Sequence, residues 1–382
     1  MVRWFFMRIF DYKKLSERTW DKEVLNYIGL IHEYKGRQQL YLEQKPEELD
    51  RLIELAKIQS TEASNEIEGI RTTNSRLKQL MNDKTTPKDR NENEILGYRY
   101  ALNLVHESFE YIPIRSNFIL QLHKEMYQFM DFNFGGKFKD TPNEIDAIYP
   151  DGHKEIIFKP LEPFETPEAV NRLCEEYNNA LNKYNIDPLI TIPVFIHDFL
   201  CIHPFNDGNG RMSRLLTTLL LYKSGYLVGK YISIEKKIQI TKQEYYQALS
   251  QSSKKWFENE NDDTPFIKYL LGTILAAYRD FEDRVNVVNK KMSSFEMVEK
   301  AVNSKLGKFT KSDIMELCPE IGRASVENAL KKLCDDGKIE KHGAGRSTFY
   351  SPKRWYNPLK KRNLGDNDSV VRWIWTKLVK RT

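Results

Sequence analysis

Along most of the chain, apolar side chains return every three or four positions, the period of a helix with one buried face. Leu52, Leu55, Ala56 and Gln59 continue one such helix. It begins near Pro46-Glu47, where proline is tolerated in a first turn, and runs to Gly69, a typical stop. The same spacing predicts helices over about 91–110, 116–130, 166–184, 188–202, 211–224, 242–257 and 264–290. One stretch, 136–160, breaks the pattern: Ile145 to Tyr149 and Glu155 to Phe158 flank Pro150-Asp151-Gly152-His153, a turn signal that predicts a β-hairpin. From about residue 294 the elements shorten. Phe295, Val298, Val302 and Leu306 mark one helix; Thr310 can cap a second that stops at Cys318-Pro319. A third runs from Arg323 to Asp336 and ends at Gly337. Ile339 to Lys341 and Thr348 to Tyr350 then read as two strands around Gly343-Ala344-Gly345-Arg346.

The fold class is therefore mainly α, with one hairpin inside a helical body and a small module behind it. The helix-helix-helix-hairpin order of that module resembles a winged helix-turn-helix, with Arg323, Ser325, Asn328, Lys331 and Lys332 on or near its recognition helix. Winged helices contact proteins as well as duplex DNA, and both partners stay open. Charge sharpens the division. Residues 291–382 carry 20 Lys+Arg against 11 Asp+Glu, whereas residues 1–290 carry 39 against 43. A basic end on a mildly acidic body suggests a separate module that faces an anion such as nucleic acid. The expected domains are 1–90, 91–290 and 291–382. At 40% apolar and 30% charged residues, the 382-residue chain has the composition of a globular protein with no need of staples. Its four cysteines are widely spaced, so neither a zinc site nor a disulfide framework is indicated, and no apolar run is long enough for a membrane span. A reducing cytoplasm is the default compartment.

The chemistry concentrates in His203-Pro204-Phe205-Asn206-Asp207-Gly208-Asn209-Gly210-Arg211-Met212-Ser213-Arg214. Before it, Pro193 can open a helix that buries Phe195, Phe199 and Ile202. After it, Met212, Leu215, Leu216, Leu219 and Leu220 define a second buried helix starting at Arg211. A glycine loop leading into a helix N-terminus is a ready anion site, because unpaired N–H groups and the dipole both favour negative charge. Arg211 and Arg214 lie on one side of the first turn and can reach further phosphate oxygens. An acid in such a site, Asp207, makes sense as a ligand for Mg²⁺ bridging phosphates. His203 suits general-base work near neutral pH, whereas His197 is set back toward the core.

This stretch resembles the signature of the Fic family, HPFx[D/E]GNGRxxR, with every defining position filled. The resemblance covers about 90–290 and implies transfer of AMP from ATP to a Ser, Thr or Tyr hydroxyl of a target protein. It implies that His203 is the base, Asp207 the metal ligand, and Gly208, Asn209 and Gly210 the anion hole. Arg211 and Arg214 would hold the β- and γ-phosphates, while Phe205 packs the loop into the core. The 138–158 hairpin would be the flap on which an extended target segment docks by β-addition.

Nearer the N-terminus, Ser64-Asn65-Glu66-Ile67-Glu68-Gly69 puts carboxylates at a helix end, where the dipole disfavours them. The run resembles the inhibitory signature [S/T]xxxE[G/N] of Fic proteins. Ser64 and Glu68 are i, i+4 neighbours on one face. The resemblance implies that Glu68 pairs with Arg214 and removes the arginine needed by the γ-phosphate. In some relatives the same glutamate supports removal of AMP, which leaves a reverse hydrolysis open. Two other readings compete: a DNA-binding regulator whose Fic domain only senses nucleotide, and a growth-arresting toxin held in check in cis.

Overall fold

The structure is a computed structural model that describes residues 8–44, 46–81, 84–130, 135–148, 154–289, 293–305 and 307–352. They fall into two compact units, one formed by described residues within 8–40 and 52–278, the other by described residues within 41–51 and 279–352.

The helices are α1 (Lys14–Glu17), α2 (Lys22–Gln44), α3 (Pro46–Ile67), α4 (Asn74–Met81), α5 (Arg90–Ser108) and α6 (Ser116–Met126). After the hairpin β1 (Ile145–Ile148) and β2 (Lys154–Phe158) come α7 (Thr166–Asn182), α8 (Pro188–Ile202), α9 (Asn209–Lys223), α10 (Ile234–Ile240), α11 (Lys242–Ser252) and α12 (Thr264–Asn289). The sequence reading missed α2, α4 and α10, although α4 carries a short apolar stripe, Leu77, Leu80 and Met81, that is buried. The hairpin is antiparallel, pairing Asp146 with Ile156 and Ile148 with Lys154, with a register shift next to Ile145. Its expected turn, Pro150-Asp151-Gly152-His153, lies outside the described residues, as does Tyr149.

The centre of the first unit is α8 against α9, flanked by α7 and α5. Every residue of α8 from Leu189 to Ile202 is buried. The helix is apolar all round because neighbours cover it on all sides, not on one face as its sequence suggested. Pro193 does not open it. Asp187 caps it by accepting the Leu189 N–H at 2.8 Å, Pro188 takes the first turn, and Pro193 sits inside. The following helix starts at Asn209, two residues before the expected Arg211, because Gly208 serves as N-cap.

The second unit holds α13 (Ser294–Asn303), α14 (Lys311–Leu317), α15 (Arg323–Asp335), β3 (Ile339–His342) and β4 (Phe349–Pro352). Ser293 with Glu296, and Thr310 with Asp313, form capping boxes that satisfy the first N–H groups of α13 and α14. β3 and β4 pair antiparallel, and Phe309 bridges to Tyr350, which gives the short third strand position of a winged helix. Val298, Val302, Ile314, Val326, Leu330 and Ile339 form its core. Leu306 and residues 353–382, which carry most of the basic tail, lie outside the described residues.

Candidate active site

The site grows out of the junction between α8 and α9. α8 ends because His203 adopts a left-handed conformation, φ 50° and ψ 62°, while its N–H still donates to the Phe199 carbonyl at 3.0 Å. A left-handed non-glycine residue is a strained position that its surroundings must hold. The imidazole Nδ1 faces the Leu200 carbonyl at 3.4 Å. A carbonyl only accepts, so the proton sits on Nδ1 and the lone pair on Nε2.

The loop then folds onto the core. Phe205 is fully buried and stacks on His123, with ring centroids 3.7 Å apart and planes 2° from parallel. The His123 tautomer follows from its partners. Nδ1 accepts the Gly136 N–H at 3.0 Å, so Nε2 donates to the Asp207 carbonyl at 3.0 Å. Asn209 clasps the loop from the other side, donating to the Phe205 carbonyl at 2.7 Å and accepting the Phe205 N–H at 2.9 Å. Its side chain is thus committed to loop geometry, and only its backbone N–H is placed for a ligand. Gly208 has φ +80°, and a Cβ there would meet Met126 Cε at 2.6 Å.

The first intrahelical bond of α9 runs from the Met212 N–H to the Gly208 carbonyl at 2.8 Å. The N–H groups of Asn209, Gly210 and Arg211 therefore have no intrahelical acceptor. Both arginines of the first turns are buried, with 1% exposure for Arg211 and 3% for Arg214. Arg211 Nη2 pairs with Glu94 at 2.7 Å and donates to the Tyr127 hydroxyl at 2.7 Å. Its Nε and Nη1 are buried and have no hydrogen-bond partner among the described residues. An unpaired buried guanidinium edge is costly and favours an incoming anion.

Arg214 is held differently. Nε donates to Ser64 Oγ at 2.9 Å, and Nη2 donates to the Ser64 carbonyl at 2.8 Å and to Glu68 Oε1 at 2.7 Å. Burial works against the charge on Arg214, but the Glu68 carboxylate outweighs it and raises its pKa above the ordinary value. The same carboxylate lies so close to Gly210 that a Cβ there would collide with Glu68 Oε1. Glu68 therefore sits over the opening of α9 as well as on Arg214. Its helix end is fastened: Lys242 Nζ donates to the Ile67 carbonyl at 2.6 Å, and Gln239 donates to Glu66. Ser60, about two turns earlier, donates to the buried Glu235 at 2.6 Å.

Asp207 is half-buried. Its Oδ1 accepts the Gly208 N–H at 2.7 Å, and Oδ2 lies 3.5 Å from Arg90 Nη2. Among the described residues there is no group of three or more His, Cys, Asp or Glu side chains that could by itself hold a metal ion. A single carboxylate beside an anion site fits Mg²⁺ that arrives with a nucleotide and takes most of its ligands from phosphate and water.

One cleft of about 430 Å³ is lined by His203, Asp207, the start of α9, Arg214 and Glu68, with Asn143 and Ile145 on one side and Tyr245, Tyr246 and Leu249 of α11 also facing it. A general base, a row of N–H donors and two arginines around one cavity are the parts needed to position a phosphoanhydride against a nucleophile. His197 takes no part. It is buried, with Nδ1 2.8 Å from Asp263 and Nε2 3.1 Å from Ser253. Sequence reasoning missed Glu94, Tyr127 and His123. Only Glu94 left a signal, as an acid within the apolar face of α5 that includes Ile95, Tyr98 and Leu102.

Residues 113–221 match the Fic/DOC family, and residues 292–353 match the family described as transcriptional regulator DIP2311-like, C-terminal domain. The chain is 31% identical over 179 residues to the protein adenylyltransferase Fic of Drosophila grimshawi, covering 47% of this chain and 32% of that protein. It is 30% identical over 179 residues to the protein of the same name from Drosophila melanogaster, with the same coverage, 47% and 32%. The chain thus spans about a third of the length of these curated relatives. Among solved structures, a Fic family protein from Desulfovibrio desulfuricans superposes with a TM-score of 0.57 at 20% identity, over 88% of this chain and 97% of that one. Fic-1 from C. elegans superposes with a TM-score of 0.54 at 20% identity, over 72% and 74%. These likenesses establish a Fic-type fold.

Proposed function

Because residues 113–221 form a Fic domain, we propose that this protein transfers AMP from ATP to a hydroxyl side chain of a target protein and that Glu68 restrains it in cis. The observation that carries the reading is the company Arg211 and Arg214 keep: two buried, cleft-lining arginines at one helix start, one with nitrogens that no acceptor among the described residues meets and the other occupied by Glu68. His203 would accept the proton of the incoming hydroxyl on Nε2. The N–H groups of Asn209, Gly210 and Arg211 would face the phosphoryl oxygens as charge builds on them. Arg211 and Arg214 would bind the outer phosphates. The residues fit Mg²⁺ as part of a metal–nucleotide complex, with Asp207 as its protein ligand; bound there, the ion would offset phosphate charge. An extended target segment would dock on the 138–158 flap.

The inhibitory reading is supported by geometry on both sides of the pair. Glu68 competes with the γ-phosphate for Arg214 and covers the Gly210 end of the anion site. Removal of AMP by the same glutamate stays an open second activity. The match of residues 292–353 to a transcriptional regulator's C-terminal domain favours a further role for the second unit, binding of duplex DNA. A nucleotide sensor would not need a base, so the retained His203 favours an enzyme over a sensor. The test is incubation of the Glu68→Gly protein with labelled ATP and Mg²⁺. Label should appear on the protein itself or on an added proteome, and should be lost with His203→Ala; label unaffected by that change would defeat the reading.

A further inference from the structure

The five residues from Lys139 to Asn143, just ahead of β1, deal with an unusual demand. α8 ends abruptly at the left-handed His203, so the carbonyls of residues 202–205 accept no helical N–H, in a stretch that is buried except for the half-buried His203. Lys139 and Asn143 satisfy all four in succession. Lys139 Nζ donates to the Ile202 carbonyl at 3.0 Å, and its backbone N–H donates to the Pro204 carbonyl at 2.8 Å. Asn143 Nδ2 donates to the His203 carbonyl at 3.3 Å and the Phe205 carbonyl at 3.1 Å. The two side chains are tied together, Lys139 Nζ donating to Asn143 Oδ1 at 2.9 Å. Residues between them continue the contact: Asn206 donates to Asp140 at 2.8 Å, and Thr141 donates to Asn206 Oδ1 at 3.3 Å.

An ammonium is an expensive way to make this contact. Lys139 is only 3% exposed, and burial lowers its pKa to about 7. The last carbonyls of a buried fifteen-residue helix are where a cation is best compensated. Other side chains could fill the space more cheaply, so the contact points to a role beyond packing.

We propose that Lys139 and Asn143 are positioning residues that fix the left-handed backbone at His203 and so aim its imidazole at the nucleophile. This rests on the reading of His203 as the base. Neither residue needs to touch the phosphates, so their loss should reach catalysis and spare ATP. In the Glu68→Gly background, Asn143→Asp keeps the shape but cannot donate to two carbonyls, and Lys139→Met removes the ammonium. Each should lower kcat by about 10–100-fold while KM for ATP stays within about twofold. Lys139→Arg, which keeps charged donors, should retain more activity than Lys139→Met. Thermal melting reports whether each variant is folded.

A second readout does not depend on turnover. In histidine-labelled full-length protein, the His203 ring resonance is identified by its loss in His203→Ala. Its titration should move in Asn143→Leu, which removes both donors without adding a charge beside the ring. An unmoved His203 titration with unchanged kcat would overturn the proposal, and so would a loss of kcat matched by an equal rise in KM for ATP. If the Glu68→Gly parent transfers nothing, the functional reading fails, and the His203 titration alone decides whether the clasp positions it.

Discussion

The start of α9 and the exposed side of α15 both carry basic residues on a helix, yet they treat charge in opposite ways. Arg211 and Arg214 are buried, and each is addressed by its own acid, Glu94 and Glu68 at 2.7 Å. On α15, Arg323, Asn328, Lys331 and Lys332 are exposed. Arg323 pairs with Glu327 at 3.0 Å in open solvent, and Lys332 lies over the Phe295 ring at 4.3 Å. Buried ion pairs have dear alternatives and little screening, so they act as switches with two definite states. Exposed charges act at a distance, add up, and fade with salt. One protein thus carries two buried, acid-paired arginines and an exposed basic helix face, and experiments can separate the roles proposed for them.

The largest effect should come from the base. His203→Ala in the Glu68→Gly background should reduce transfer by about 10²–10⁴-fold while ATP binding, followed by calorimetry, persists. Comparable losses of binding and transfer would instead make His203 a phosphate ligand. Next, Asp207→Ala should weaken Mg²⁺-dependent nucleotide binding and transfer together. Transfer that ignores both this change and a chelator would remove Asp207 from the metal role.

The second region should answer to salt instead. Binding of duplex DNA by the full chain should fall steeply between low and physiological salt, and replacing Lys331 and Lys332 by Ala should weaken it and flatten the slope. Inhibition by Glu68 should hardly respond over the same range. A DNA-free gel shift at low salt would make the second unit a protein-contact module.

The smallest effect is one of stability in acid. Arg76, with further hydrogen bonds from Thr72 and the Lys88 N–H, holds the buried Glu92 carboxyl down at about 2. A depressed carboxyl contributes stability that is complete above its unfolded value of 4.5 and is lost as pH falls toward 2. Melting temperature should therefore drop over that window, and Glu92→Gln should flatten the drop. Glu327→Gln, at an exposed pair, should change the profile little. Equal profiles for wild type and Glu92→Gln would mean that burial does not distinguish the two kinds of site.

What the sequence made legible follows the same divide. The twelve residues from His203 to Arg214 carry their chemistry in contiguous order, so a candidate anion site could be read from them. Ser64 and Glu68 were readable only through the resemblance of Ser64–Gly69 to the Fic inhibitory signature; by helical spacing alone they were ordinary helix-end side chains. Tyr127 and His123, at the end of α6, were not readable, since no local pattern marks their convergence on a distant loop, and Glu94 showed only as an acid in the apolar face of α5. Lys139 and Asn143 looked like loop residues; their function lies in bonds to carbonyls, which no side-chain motif records. The start of α8 misled because Pro193 and Pro188 both satisfy the rule for a first turn, and only Asp187 as a cap decides between them. The short helices α4 and α10 are set by packing, which a propensity reading cannot see.

The central claim is that Glu68 restrains the site through Arg214. The most direct test is the initial rate of AMP transfer at saturating ATP for four proteins: wild type, Glu68→Gly, Arg214→Ala and the double variant. Removing Glu68 should raise the rate by an order of magnitude or more, since a charge-assisted contact of this kind is worth about 1.5–3 kcal/mol. The double variant should lose that gain, because the released arginine is gone. A double variant as fast as Glu68→Gly, or a Glu68→Gly protein no faster than wild type, would contradict the account.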